Sequence, residues 1–302
     1  MIKGFKRGER RPPRVVIYGP PKIGKSTWGA DAPSPAFAAT EEGVDSLPVL
    51  QALAKDWETL LANVRTLAEA DGEVQTVVID TLNGAAELAS QHVCHAQFKD
   101  NWGPGGFQSF GHGWAATSEE MRKLLLVLDM ARANGKTVIL LAHTGVANIK
   151  NPIAGDYTKF VPDLDKKIWA RFAAWADIIG RAEYEHSIKR GDNGQGKAVS
   201  SDTRLLRLVG SQAEDAGCRV GYDLPAQLPL SYAAFAEALG QRDTTAADIR
   251  AGWSLLTADE QGKALAYLCV ARVEDLEKAQ SQRAKTVLNR IQIKQQKTEV
   301  TP

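Results

Sequence analysis

The stretch RVVIYGPPKIGKSTW at residues 14–28 constrains the fold more than any other part of the chain. Residues 14–18 form a short apolar run, rich in β-branched side chains, that reads as a buried strand ending at Gly19. The pattern G-x-x-x-x-G-K-[ST] follows at once, and a helix is expected to begin near Gly24 and run through Trp28. In a strand–glycine loop–helix unit, backbone N–H groups and the positive helix end face a phosphate. Gly19, Pro20, Pro21, Lys22, Ile23, Gly24, Lys25, Ser26 and Thr27 are therefore the candidate contacts for ATP. Lys25 is expected at the β- and γ-phosphates, and the Ser26 hydroxyl in the shell of a Mg2+ ion.

Strand and helix patterns keep alternating downstream. Residues 36–40 are a weaker strand candidate. Residues 45–70 contain an amphipathic helix, with Leu53, Trp57, Leu60, Leu61, Val64 and Leu67 at helical spacing. Residues 76–80 and 137–142 are continuous apolar strands, with helices expected over 82–98 and 118–132. This alternation implies an α/β fold, a mostly parallel sheet with helices on both faces. After His143 the pattern fades until 168–175 and a strand-like 177–179. Residues 184–189 and 204–209 then flank GDNGQG as a β-hairpin. From about Leu230 the chain turns helical, over 232–239, 246–256 and 264–282. The expected division is a basic arm over 1–13, a core over 14–215, and a small helical C-terminal module with a basic tail over 216–302.

Composition bounds the class. Apolar residues make up 44% and charged residues 24%, with a net charge of +1, so no global basic field announces nucleic acid. The cations cluster at the ends, with Lys3, Lys6, Arg7, Arg10, Arg11 and Arg14 at one and Arg283, Lys285, Arg290, Lys294 and Lys297 at the other. Such ends suit either polyanion contact or plain solvation. No apolar run approaches the roughly 20 residues that cross a bilayer, and no apolar segment backs the basic start as a secretory signal would. Cys94, Cys218 and Cys269 form no CxxC pair. The expectation is a cytoplasmic protein with no membrane partner.

Polar residues at the strand ends supply the remaining candidates. Asp80 closes VVID, where it suits water-mediated Mg2+ binding as well as capping the next helix. Glu41 and Glu42 follow the second strand at the sheet's C-terminal edge, where a carboxylate can polarise an attacking water; Glu41 is preferred. His143 closes ILLAH, where it suits sensing the γ-phosphate or a simple strand-end hydrogen bond. Lys25, Glu41, Glu42 and His143 form the expected catalytic set. Residues 101–114, NWGPGGFQSFGHGW, are rich in glycine and aromatics. His92, Cys94, His95 and His112 have a spacing that fits no common zinc site.

Taken together, these segments resemble RecA-type recombinases. IYGPPKIGKST resembles their phosphate loop, and AFAATEEGVD the segment that delivers their catalytic glutamate, with Glu41 in that place. VVIDTL resembles their Walker B strand with Thr81 at a serine position, and VILLAH the strand ending in their glutamine switch with His143 substituted. SSDTRLLRL resembles the late hairpin strand of the same core, so the resemblance covers roughly residues 10–215. The size and GYDLPAQLPLSYAAFAEAL are similar to phage-encoded, RecA-like single-strand-annealing proteins, the Sak group of nucleotide-binding AAA-type ATPases.

The resemblance implies an ATPase that works in phage-type homologous recombination in a bacterial host, stimulated by single-stranded DNA. ATP would lie between protomers of a filament or ring, and a single-strand-binding protein would be a further partner. Residues 101–114 and 145–167 take the places of the family's two DNA-binding loops. Trp102, Phe107, Phe110 and Trp114 would stack on bases, or pack on a neighbouring helix or subunit, and Lys150, Lys159, Lys166 and Lys167 would contact phosphates. The family's Lys-x-Lys pair, which reaches a neighbour's ATP, corresponds here to Val209-Gly210-Ser211, so Arg207 or Arg204 would have to serve instead. Two alternatives stand beside this reading: a ring-shaped helicase or packaging motor, and a nucleotide-gated DNA-binding mediator with little turnover.

Overall fold

The computed structural model describes residues 11–70, 72–153, 155–190, 196–219, 222, 224–240, 249, 253–268, 271–273, 287 and 291. They form two compact units, 1–236 and 237–302. In the first unit the apolar runs become strands buried on both faces: β1 (Arg14–Gly19), β2 (Pro35–Ala39), β4 (Thr76–Asp80) and the first half of β5 (Thr137–Ile149). Between and after them come α1 (Lys25–Ala30), β3 (Leu50–Leu53), α2 (Trp57–Glu69), α3 (Leu82–Phe98), α4 (His112–Ala133), β6 (Tyr157–Pro162) and α5 (Lys166–Trp175). The chain continues through β7 (Ile178–Arg190), β8 (Gly196–Arg207), β9 (Gly217–Cys218), β10 (Gln227–Pro229) and α6 (Tyr232–Gly240).

The sheet order is β10-β8-β7-β1-β5-β4-β2-β3, with β6 on β5 and β9 on β7. Strands β7, β1, β5, β4, β2 and β3 are parallel, and β8 and β10 extend the sheet antiparallel. Side chains alternate across it with period two. Val16, Tyr18, Ala38, Val77, Ile79 and Leu140 share one core with Leu60, Val64, Ala85, Leu124 and Phe172 of α2–α5. On the opposite face Gly29 of α1 meets Phe37, Val78 and Leu141, and Trp28 stacks edge-on against Tyr232 and Phe235. The expected α/β architecture, mostly parallel with helices on both faces, is the observed one.

Four elements differ from the sequence expectation. Residues 50–53 are an edge strand, not helix, because α2 starts only after Asp56, whose carboxylate accepts from Thr59 N at 2.7 Å and Thr59 Oγ1 at 2.9 Å. Helix α4 begins at His112, behind Gly111 at φ 71°, so the aromatic loop is shorter than expected. Residues 144–162 are a β-hairpin rather than an open loop, with Thr144 opposite Pro162 and Ile149 opposite Tyr157. The first unit also runs past residue 215, because β9 and β10 complete the sheet and the α6 aromatics cover Trp28.

The second unit has its own core of Ile249, Leu256, Ala264, Leu268, Val287 and Ile291, in part on α7 (Ala258–Leu268). Residues 1–10 of the basic arm, the hairpin tip 191–195 and nearly all of the basic tail lie outside the described residues. Among the described residues, no helix is long and apolar enough to cross a membrane.

Where β1 and β7 begin, Asp177 is 4% exposed and ringed by cations. It accepts from Arg14 Nη2 at 2.9 Å and Arg14 Nε at 3.1 Å, and Arg132 Nη2 lies 3.0 Å away. Burial alone pushes this carboxyl up, but the Arg14 hydrogen bonds and the Arg14 and Arg132 charges outweigh it and hold the pKa below its ordinary value. Asp177→Asn strands those cations and is expected to cost about 3 kcal/mol, read by chemical denaturation. Because the folded pKa is depressed, the unfolded chain takes the proton first as pH falls. The wild-type advantage is therefore complete above about pH 4 and fades as pH drops through the folded value, so the two stability curves converge in acid.

Candidate nucleotide site

The turn from β1 into α1 needs Gly24, whose φ of 106° is open only to glycine without strain. Next to it Lys25, 6% exposed, donates through Nζ to Gly19 O and Pro20 O, each at 2.9 Å. Burial lowers the lysine's pKa, and the charges of Asp80 and Glu41 pull it partly back. Among the described residues the ammonium thus has two carbonyl partners and no hydrogen-bonded carboxylate. Ser26 Oγ donates to Asp80 Oδ2 at 2.6 Å. Burial raises the Asp80 pKa and the nearby Glu41 charge adds to it, against the Ser26 hydrogen bond and the charges of Lys25 and His143.

Strand register brings the other candidates to this point. Gly19 pairs with His143, and Asp80 lies between Ala39 and Leu141. Thr81 caps α3: its Oγ1 accepts from Gly84 N at 3.1 Å, so its proton goes to Glu41 Oε1 at 2.5 Å. The other Glu41 oxygen is 3.5 Å from His143 Nε2, while His143 Nδ1 is buried with no hydrogen-bond partner among the described residues. Asn83 ties in the hairpin base, accepting from His143 N at 2.8 Å and donating to Asp163 O at 2.5 Å. Glu42 is exposed and joins none of these bonds; Glu41 alone enters the cluster. A cavity of about 530 Å3 opens between Pro21, Lys22, Gly24, Lys25, Ser26 and Thr27 on one side and Glu41, Glu42, Asp80, Thr81 and His143 on the other. Gly19 and Pro20 supply the lysine's carbonyls, and Ile23 turns its side chain into the core.

Residues 11–220 match the protein family described as an AAA domain. The chain belongs to that family. It is thus a P-loop ATPase domain. No curated protein matches it.

In this AAA domain the donors fit a magnesium ion. Ser26 Oγ and Asp80 Oδ2 are two hard oxygens side by side, and Mg2+ takes few protein ligands, keeping waters and phosphate oxygens for the rest. When bound, the ion neutralises phosphate charge.

The residues expected to touch DNA separate into two groups. Phe107 is 1% exposed, enclosed by Trp102 at 4.8 Å, Trp114 at 5.1 Å and Phe98 at 5.7 Å between ring centroids. The Gly113 backbone lies against it so closely that a Cβ there would sit 2.4 Å from the ring. Phe107 is therefore a packing residue, which corrects its reading as a base-stacking face. Lys159 is corrected likewise, since its ammonium is paired with Asp215 at 2.5 Å. Lys150 makes an exposed pair with Asp156 at 2.9 Å. Trp102 and Trp114 are partly exposed, Lys166 is exposed, and the Phe110 ring is 96% exposed. Lys167 Nζ donates to Gly111 O at 3.2 Å.

Arg207 is taken up by Glu183, whereas Arg204 reaches Ile23 O of its own phosphate loop. His92 faces Glu58, Cys94 is buried beside Phe107 and His95 faces Asp100, so these side chains do not converge. The sequence reading missed the roles of Thr81 and Asn83 around Glu41 and His143. A threonine just before an apolar helix is a capping signal that singles out Thr81; nothing local marks Asn83.

A metal held by Asp80 needs the ionised carboxylate, and burial makes that group hold its proton longer than usual. Binding of Mg2+-ATP is expected to release protons and to tighten as pH rises through the Asp80 value. Calorimetry in buffers of different ionisation heat measures this. Asp80→Asn should abolish the proton release and lower turnover on the order of a hundredfold.

Proposed function

We propose that this AAA domain couples ATP binding and hydrolysis to gripping single-stranded DNA, as an annealing or recombination protein of the phage type. The observation that carries the reading is the neighbourhood of Phe110. Its ring stands in solvent, packed on little, one residue from the carbonyl that holds the Lys167 ammonium. An aromatic face beside a cation is the chemistry that grips single strands without regard to sequence, by stacking and phosphate contact. Trp102 and Lys166 are exposed as well and would add a second ring and a further cation to that grip.

Lys25 holds the phosphates, with Ser26 and Asp80 as the metal's protein ligands. Glu41 polarises a water whose oxygen bonds to the γ-phosphorus as the bond to the β–γ bridging oxygen breaks, leaving ADP and phosphate. Thr81 and His143 orient that carboxylate from either side. Through Asn83 the backbone of His143 is fastened to the end of the 144–162 hairpin, a route by which the γ-phosphate reaches the DNA-contacting elements. Filament or ring assembly, with a single-strand-binding protein as partner, follows from the sequence resemblance.

Phosphate release is measured with Mg2+-ATP, with and without single-stranded DNA, and with Lys25→Ala as control. Stimulation by DNA that vanishes in the variant is the expected result. Binding of both ligands without stimulation selects the gated mediator instead, and duplex unwinding selects a motor. Phe110→Ala is expected to weaken DNA binding about tenfold by fluorescence anisotropy, the loss of one stacking platform.

A further inference from the structure

The Arg204 guanidinium, on β8, lies against the phosphate loop of its own chain. Its Nη1 donates to Ile23 O at 3.2 Å and sits 3.0 Å from where a Cβ on Gly24 would be. The glycine thus serves twice, for its backbone angle and for letting the guanidinium come this close. Arg181 and Arg207, which pair across β7 and β8, are neutralised. Arg181 is bound by Glu183 and Glu214, and Arg207 donates to Glu183 at 2.5 Å. Arg204, by contrast, is exposed and meets no carboxylate among the described residues.

A guanidinium carries five N–H donors and stays charged at any working pH. One carbonyl engages one donor and cancels no charge. The guanidinium, itself outside the lining of the cavity, touches the loop at Ile23 and Gly24, and that loop carries two further cations, Lys22 and the buried Lys25. We infer that Arg204 is a cis-acting binding residue, which contacts the phosphate chain of the nucleoside di- or triphosphate held by its own loop. This rests on the reading of the 530 Å3 cavity as the nucleotide site. It differs from the sequence expectation for this arginine, which was a cation supplied to a neighbouring protomer.

The test is titration of a fluorescent ADP derivative into the full chain, without DNA, for wild type, Arg204→Ala and Arg204→Lys. The alanine variant is expected to bind on the order of tenfold more weakly, with a melting temperature like wild type when no nucleotide is present. Lysine restores part of the affinity, because it keeps the charge and loses the planar fork. If the alanine variant fails to fold, Arg204→Gln, which keeps a donor for Ile23 O and removes the charge, must show the same loss. Mixing Arg204→Ala with Lys25→Ala protomers must not restore phosphate release. Unchanged ADP affinity overturns the inference, and so does restored turnover on mixing, which makes the arginine a neighbour's. A wild-type chain that binds ADP but no DNA sinks the DNA reading and leaves Arg204 in place.

Discussion

Parallel backbone pairing among β1, β5, β4 and β2 is the constraint on which the site depends. Those ladders set Gly19 beside His143 and Asp80 between Ala39 and Leu141, so chemistry from four distant segments meets at one sheet edge. A slip of one residue between β1 and β5 would move His143 off Gly19 and turn Val138 and Leu140 away from α2–α5. The packing of the core therefore holds the site in register. The same pairing gathers the ligand-facing groups at the C-terminal ends of β1, β2 and β4, with His143 opposite Gly19 inside the longer β5.

The two edges of the sheet are electrostatically unlike. Where β1 begins, Asp177 is surrounded by the cations it needs, and its carboxyl titrates low. Where β1 ends, Lys25 and Asp80 are both buried, with pKa values moved by burial in the direction that disfavours their charges. One edge is complete as folded. The other keeps a buried cation and a buried carboxylate close together, which suits a polyanion and a dication.

Helix α3 connects the parts. Its first turn places Thr81 against Glu41 and Asn83 against both His143 and Asp163. At its far end the Phe98 ring packs on Phe107, which anchors the aromatic loop. Seventeen residues of helix, about 25 Å, thus touch the carboxylate, the hairpin base and the loop that carries Phe110. A single rigid element is a simple physical link between the nucleotide and the surface proposed to hold DNA.

The sequence by itself determined what is written locally. A strand, a glycine loop and a helix in fifteen residues specify the phosphate loop, and apolar runs closing in Asp80 and His143 specify polar groups at a site, although β5 itself runs on past His143 to Ile149. Only the tertiary structure decided which carboxylate joins the cluster, since Glu41 and Glu42 are adjacent and differ in what they meet, Thr81 and His143. It also turned the weakly patterned 144–162 into a hairpin, because β6 finds its pairing on β5. Phe107 and Phe110, three residues apart in one glycine-rich loop, were given opposite fates by the approach of α4. Lys159 and Arg204 were assigned by partners at Asp215 and Ile23, far away along the chain. Periodicity and turn chemistry record the backbone's local preference, whereas a side chain's partner depends on a surface assembled elsewhere, of which the local sequence keeps no trace.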